Sequence, residues 1–82
     1  MQVTIKYFAS IREAIGQASE QRETAVTTLA GLRDELLASD PAYACLSRGR
    51  AVRMALGQVM SDESALLSPG CEVAFFPPVT GG

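Results

Sequence analysis

The sequence predicts an α+β fold in which one main helix covers one face of a mixed β-sheet. Three observations predict it. Val3, Ile5 and Tyr7 alternate with polar or exposed positions, as in a strand with one buried face. Leucines recur at helical spacing between residues 29 and 37. Further strand-like segments follow that helix up to residue 76, so the first and last strands are expected to pair in parallel at the centre of the sheet.

Before the main helix, the chain predicts a short helix and a second strand. Ser10 is predicted to cap a helix over residues 11–15, and Gly16 is predicted to end it. Residues 19–26 are polar but compatible with a strand that pairs with the first one as a hairpin. The charges of this segment indicate an edge of the sheet in contact with solvent.

The main helix is predicted to begin after Thr27 or Thr28, with residues 33–35 on its outer face. Asp40 and Pro41 end it, because a residue before proline avoids helical geometry. Asp40 is also predicted to cap a helical turn over residues 41–46. The apolar stripe that packs into the core consists of Leu29, Leu32, Leu36 and Leu37.

After this helix, the sequence predicts three more strands. Two of them, over residues 52–56 and 59–60, are joined by a turn at Gly57-Gln58, and the last covers residues 72–76. A short helical turn is expected at residues 65–67, and Pro69-Gly70 is a turn signal. The predicted organisation is one domain over residues 1–76, followed by an extended tail over residues 77–82.

Composition restricts the classes of function. The 82 residues carry nine acidic and seven basic side chains and no histidine. The net charge of −2 gives no broad basic surface for nucleic acid or for an anionic membrane, and no apolar run is long enough to span a bilayer. Without an imidazole or a nucleotide-binding motif, the chain is expected to be a carrier or substrate rather than a catalyst. Because no membrane span or signal peptide is predicted, the chain is expected to be cytoplasmic.

Two smaller features have a structural interpretation and a functional one. Cys45 and Cys71 lack the spacing of a redox or metal motif, and both are expected to be reduced. The basic residues Arg48, Arg50 and Arg53 are typical of a solvated loop. The functional interpretation is a contact with an acidic partner or a phosphate.

The tail combines stiffness with minimal bulk. Pro77 and Pro78 favour an extended path, and the β-branched Val79 and Thr80 continue it. The final Gly81-Gly82 has no side chains, so it could pass along a narrow channel and present a carboxylate to another protein. A frayed terminus is the alternative interpretation.

The run 72–82, EVAFFPPVTGG, closely resembles the end of the small, sulfur-carrier subunits of molybdopterin synthase. The run 7–16, YFASIREAIG, is similar to the first strand and helix of that family. The resemblance covers the whole chain and is most specific at its C-terminal end. Gly57 stands where the family often has asparagine, and both residues suit a tight turn. The resemblance implies a ubiquitin-like β-grasp fold of about five strands on one main helix.

The resemblance also implies a reaction cycle. An E1-like activating enzyme would use ATP to adenylate the carboxylate of Gly82, and a sulfur donor would convert it into a thiocarboxylate. The carrier would then dock on the large synthase subunit, in a heterotetramer of two small and two large subunits. There it would give sulfur to cyclic pyranopterin monophosphate, forming the dithiolene of the molybdenum cofactor. No cofactor is expected on the carrier itself, and the catalytic side chains are expected on the large subunit.

Residue roles follow from this cycle. Gly82 would bear the activated carboxyl group, and Gly81 would give clearance in the channel. The segment Pro77, Pro78, Val79 and Thr80 would form a stalk. The resemblance also points to an apolar docking surface, for which Phe8, Phe75 and Phe76 are the candidates, with Arg12 as a polar neighbour.

Three other functions fit a chain that ends in two glycines. A sulfur carrier of thiazole synthesis shares the ending, but such proteins are usually shorter and lack the Phe-Phe-Pro-Pro run. A ubiquitin-like modifier would use the same glycines to join lysines of other proteins. A plain interaction domain would have an inert terminus and would keep its function when Gly82 is deleted.

Overall fold

The computed structural model describes residues 1–47 and 49–78. In this part of the chain, five strands form one sheet in the order β2-β1-β5-β3-β4. β1 and β5 are parallel, and β1 and β2 form an antiparallel pair, as predicted. β3 pairs antiparallel with both β4 and β5. The elements in chain order are β1 (Gln2–Tyr7), α1 (Ala9–Ile15), β2 (Ser19–Glu23), α2 (Leu29–Ser39), a 3₁₀ helix (Pro41–Leu46), β3 (Arg53–Leu56), β4 (Val59–Ser61) and β5 (Glu72–Phe76).

The core lies between α2 and one face of the sheet. Alternate residues of the two central strands point to this face because successive side chains of a strand project to opposite sides. The leucine stripe of α2 packs against them, which confirms the predicted helix, and Leu37 at its margin is half-buried. The fully buried side chains are Val3, Ile5, Leu29, Leu32, Leu36, Leu46, Val73 and Phe75, with Tyr7 almost fully buried.

The helix ends follow local hydrogen bonding. The hydroxyl of Thr28 accepts a hydrogen bond from the Gly31 amide at 3.1 Å, which caps α2. The Asp40 carboxylate accepts one from the Ala42 amide at 2.8 Å and caps the 3₁₀ helix, as predicted. Gly16 ends α1 in a left-handed conformation, with φ of 90°, and this prediction is also confirmed.

The start of α1 differs from the prediction. Ser10 lies inside the first turn, and the capping position belongs to Phe8, whose carbonyl accepts hydrogen bonds from the Ile11 and Arg12 amides. The helix begins early because Ala9 has a left-handed backbone with φ of 52°, which turns the chain at once out of β1. The left-handed conformation costs a non-glycine residue about 1–2 kcal/mol.

The second strand is shorter than predicted and ends at Glu23 rather than residue 26. The Thr24 hydroxyl accepts a hydrogen bond from the Val26 amide and donates one to the Glu35 carboxylate of α2, at 3.2 and 2.9 Å. These two bonds turn the chain towards α2 and end the ladder. The predicted position of the strand at the edge of the sheet is confirmed.

Two predictions on the helical side of the fold were wrong. Arg33 was placed on the outer face of α2, but it is 5% exposed and forms an ion pair with Glu63. Residues 65–67 are not helical. They form an extended segment whose backbone bonds to residues 27–29 at the start of α2, including the Leu67 amide to the Thr27 carbonyl at 2.8 Å. This segment supplies partners for backbone groups at the start of α2.

Glu20 of the edge strand ties three elements together. One of its carboxylate oxygens accepts hydrogen bonds from the hydroxyls of Tyr7 and Tyr43, at 3.0 and 2.7 Å, and from the Gln17 amide at 2.6 Å. Burial, together with the nearby negative charge of Glu20, raises the pKa of both tyrosines. The two hydroxyls therefore stay protonated as donors well above neutral pH.

Replacement of Gly16 by alanine should destabilise the fold by about 1–2 kcal/mol, because its φ of +90° disfavours any Cβ although nothing lies within 4 Å. Gly49→Ala is the matched control, since Gly49 also has open space but no left-handed φ. That control should change the free energy of unfolding by less than about 1 kcal/mol. Urea unfolding followed by circular dichroism measures both. Equal effects would contradict the explanation.

Stability should fall as the pH rises above about 10, where unfolded tyrosines ionise. Because the folded state raises the pKa of Tyr7 and Tyr43, it keeps them protonated while the unfolded state loses their protons. The chain has two tyrosines, so Tyr7→Phe/Tyr43→Phe removes this linkage entirely. Unfolding free energies measured between pH 8 and 12 should fall less steeply for the double variant than for the parent chain. Parallel curves would show that these hydroxyls do not govern alkaline stability.

Candidate docking face and stalk base

The C-terminal segment leaves the sheet at a defined place. Because β5 is parallel to β1, it ends at the edge of the sheet where β1 meets α1, and the Phe8 amide still donates to the Phe75 carbonyl at 3.2 Å. Pro77 and Pro78 follow directly, half-buried. Of the predicted stalk only these two residues are described. Val79, Thr80, Gly81 and Gly82 lie outside the described residues.

Two clefts flank the base of the stalk. Pro77 lines one of about 410 Å³ together with Ser10 and Ala14 of α1 and with Cys45. Pro78 lines the other, of about 640 Å³, together with residues of β3 and β4. Residues 50–52 line both clefts, so this segment separates them. The first two residues of the tail therefore lie against folded structure, which sets where the stalk starts.

The sheet face opposite α2 carries apolar side chains next to the stalk base. Phe8 and Met60 are exposed, Ala74 and Phe76 are half-buried, and Ala55 is buried. The rings of Phe8 and Phe76 meet edge to face, with centroids 6.5 Å apart, and Phe8 is 45% exposed. On the same face, Ala74 of β5 pairs with Ala55 of β3, and Ala55 pairs with Met60 of β4. We call this surface the docking face, and its residues are Phe8, Ala55, Met60, Ala74 and Phe76.

Met60 was missed by the sequence analysis. It is 56% exposed and faces outward because its ladder partner Ala55 does, whereas Val59 pairs with Leu56 on the other side of the sheet. Strand alternation identifies Met60 as an outward residue only once the register in which β3 pairs with β5 is known. That register depends on pairing between residues about twenty positions apart, which the sequence does not state.

The predicted docking residues separate into two groups. Phe8, Phe76 and Arg12 lie at the surface, and the Arg12 amide bonds to the Phe8 carbonyl at 3.3 Å. Phe75 is fully buried and stacks on Tyr7 with ring centroids 6.2 Å apart, so its predicted role in docking was wrong. Alternation is the reason, since Phe75 and Phe76 point to opposite faces of the sheet.

Charged side chains around the stalk base are mostly cationic. Arg50 lines both clefts and Arg53 lies opposite Phe76 in the ladder, while Arg48 lies outside the described residues. Asp62 and Glu63 line the larger cleft, where Glu63 forms an ion pair with Arg33. Hydrogen bonds from the Ser64 hydroxyl and amide lower the pKa of Asp62, so this carboxylate is ionised at neutral pH.

The chemistry available at this surface is binding. Cys45 and Cys71 are free thiols, as expected, and burial raises the pKa of Cys45, which keeps it in the unreactive protonated form. Among the described residues, no group of three metal-ligating side chains could hold a metal ion. Neither helix in this part of the chain is long and apolar enough to cross a lipid bilayer. An apolar face beside a directed chain segment fits a protein partner.

Comparison with known proteins agrees with this geometry. The chain is 31% identical to the molybdopterin synthase sulfur carrier subunit of Escherichia coli over 98% of its length and 99% of the relative's. It is 33% identical to the subunit of that name from Haemophilus influenzae, with the same coverage.

Solved structures support the fold. SAMP1 from Haloferax volcanii superposes with a TM-score of 0.82 at 21% identity, covering 100% of both chains. A protein–protein complex of subunits 1 and 2 of molybdopterin-converting factor from Helicobacter pylori contains a chain with a TM-score of 0.71 at 23% identity, also covering 100% of both. The predicted ubiquitin-like β-grasp fold is confirmed. The ThiS family model matches residues 5–82, and the chain therefore belongs to the ThiS family.

Proposed function

We propose that this chain is the sulfur-carrier subunit of a molybdopterin synthase. The observation that carries the proposal is its full-length similarity to two proteins of that name, at 31% and 33% identity. The geometry supports it, because an exposed apolar face adjoins the point where the tail leaves the sheet. A carrier needs a surface that partners recognise and a chain end that they can modify, and it needs no catalytic side chain of its own.

The proposed chemistry takes place on Gly82. Its carboxylate attacks the α-phosphorus of ATP within an activating enzyme, which releases pyrophosphate and leaves an acyl-adenylate. A sulfur donor then displaces AMP, and the terminus becomes a thiocarboxylate. The thiocarboxylate sulfur attacks cyclic pyranopterin monophosphate, and water then hydrolyses the acyl–sulfur bond to the carrier, which leaves the sulfur on the substrate and restores the carboxylate of Gly82. Gly81 has no side chain, so the terminus can enter a narrow active site.

The proposed partner in the last step is the large synthase subunit. Its surface would cover the docking face, and the stalk would carry Gly82 into its active site. Two carriers and two large subunits would form the heterotetramer, so that two sulfur atoms can be delivered to one dithiolene. The Helicobacter pylori complex of two such subunits supports a heteromeric assembly.

Intact-mass spectrometry tests the carrier chemistry. After incubation with the activating enzyme, ATP and a sulfur donor from the same organism, the chain should gain the mass difference between sulfur and oxygen. The gain should be absent when Gly82 is deleted, since the acceptor carboxyl is then displaced by one residue. The deletion variant should still unfold at the temperature of the parent chain, because the last strand of the described domain ends at Phe76. An unchanged mass of the parent chain would contradict the proposal.

Two further assays distinguish a sulfur carrier from a protein modifier. A modifier would appear in cell lysate as higher-mass conjugates linked through Gly82 to lysines of other proteins. A sulfur carrier should instead restore molybdopterin formation when it is added, as thiocarboxylate, to the large subunit and cyclic pyranopterin monophosphate. Conjugates without molybdopterin formation would favour the modifier.

Substitution on one strand tests the docking face. Met60→Asp should weaken binding to the large subunit by about tenfold or more, because it places a charge at an apolar contact worth about 1.5–3 kcal/mol. Val59→Asp is the control, since Val59 lies on the same strand, is even more exposed at 66%, and points to the other side of the sheet. Calorimetric titration measures both affinities. If Val59→Asp weakens binding as much as Met60→Asp, the docking face is wrong.

A further inference from the structure

The basic side chains of the protein divide into two groups. Outside position 48, three of them form ion pairs with carboxylates: Lys6 with Glu72 at 3.2 Å, Arg22 with Glu35 at 2.6 Å, and Arg33 with Glu63. The other three have no ion pair within the described residues, and all three are exposed. These three, Arg12, Arg50 and Arg53, are named the arginine collar.

The collar residues come from α1 and from the segment that leads into β3, and all three lie near the stalk base. Arg12 lies one turn of α1 after Phe8, whose ring contacts Phe76, the residue before the stalk. Arg50 lines both of the clefts that contain Pro77 and Pro78. Arg53 lies directly opposite Phe76 in the β3–β5 ladder, one residue before the stalk. The fold thus gathers cations separated by up to 41 positions in sequence around one chain segment.

This arrangement opposes the overall charge of the chain. The net charge is −2, yet the charges around the stalk that have no ion pair among the described residues are three arginines and two carboxylates. Glu63 also lines the larger cleft, but it pairs with Arg33. Glu13 adjoins Arg12 on α1, and Asp62 shares the larger cleft with Arg53 and already bonds to Ser64. Several other carboxylates are engaged in bonds inside the domain, such as Glu20 with two tyrosines and Glu35 with Arg22. The stalk therefore leaves the domain through a positively charged rim.

We propose that the arginine collar is an electrostatic docking element, which recognises protein carboxylates placed around the channel that receives the stalk. This inference rests on the proposed function, since it assumes a partner that takes up the tail. The docking face supplies the apolar contact, and the collar surrounds it with charge. Charged rims of this kind steer the encounter of two proteins and fix their orientation more than they add to final affinity.

Exposure favours a protein surface over a bound phosphate. A built phosphate site converges several donors on one point, often with backbone amides or a helix N-terminus. The collar arginines are instead spread over α1, the loop before β3 and the first residue of β3, and all of them are solvent-exposed. A ring of carboxylates on a partner matches that spread, and arginine suits it because its guanidinium pairs with carboxylates in a bidentate manner.

Association kinetics with the large synthase subunit of the same organism test the inference. Arg53→Glu and Arg50→Glu should each lower the association rate constant by about tenfold at low salt. The difference should shrink as the ionic strength rises, because exposed charges are screened over about 10 Å at 0.1 M salt. Arg50→Lys/Arg53→Lys keeps both charges and should retain most of the rate.

A control variant separates local charge from net charge. Ala25→Glu/Thr27→Glu makes the chain two units more negative, as Arg53→Glu does. Both positions are exposed in the segment between β2 and α2, at the end of the sheet where β1 begins and the stalk is remote. If the collar acts as a local docking element, this variant should associate several times faster than Arg53→Glu at low salt.

The outcomes distinguish a failure of the collar inference from a failure of the proposed function. If the parent chain binds the large subunit and the collar reversals associate at its rate, the collar inference is overturned and the proposed function stands. If the reversals slow association no more than the remote control does, net charge alone is responsible and the inference again fails. If the parent chain does not bind the large subunit at all, the proposed function is overturned and the collar inference with it.

Discussion

The parallel pairing of β1 and β5 at the centre of the sheet is the constraint on which the rest of the structure depends. Parallel strands run to the same edge, so the end of β5 must lie beside the end of β1. Phe8 is the residue after β1, and Phe76 is the last residue of β5. Their edge-to-face contact and the start of the stalk are therefore direct consequences of the topology.

Strand alternation then divides the chain between stability and recognition. The inward side chains of β1 and β5 build the core against α2, and the outward ones build the docking face. Neighbouring positions such as Phe75 and Phe76 serve different purposes although they are chemically identical. A one-residue slip of β5 would exchange them, exposing the core residue and burying the docking one, so the register is under strong energetic control.

The sequence predicted what depends on local patterns and, apart from the parallel pairing of β1 with β5, left open what depends on distant pairing. The strands, the leucine stripe of α2, the caps at Thr28 and Asp40, and the turn at Gly16 all follow from short-range spacing or chemistry. The buried Arg33 could not be read from the helix, because its environment is set by Glu63, thirty positions away. The helical turn predicted at residues 65–67 was wrong for the same reason. Their local preference is helical, but the start of α2 offers backbone partners that hold them extended.

Part of the site was predictable in the same sense. Phe8, Phe76 and the collar arginines were candidates in the sequence analysis, and the structure places them at the surface near the stalk base, where their role in docking stays a prediction. Met60 joins them only through the register of β4 and β3 against β5.

The internal use of carboxylates explains how an acidic chain can present a basic rim. Glu20 accepts three hydrogen bonds within the domain. Partial burial alone would raise the pKa of Glu35, but hydrogen bonds from Arg22 and Thr24 and the charge of Arg22 outweigh it and lower that pKa. Such carboxylates face hydrogen-bond donors inside the domain, so they contribute less to the outer potential than their number suggests. The stalk region is different, because its arginines, on α1, in the loop before β3 and at the start of β3, have no ion-pair partners among the described residues. The electrostatic potential that a partner meets is therefore set by position in the fold rather than by the sum of charges, and a net charge of −2 is a poor guide to the sign of the surface at the stalk.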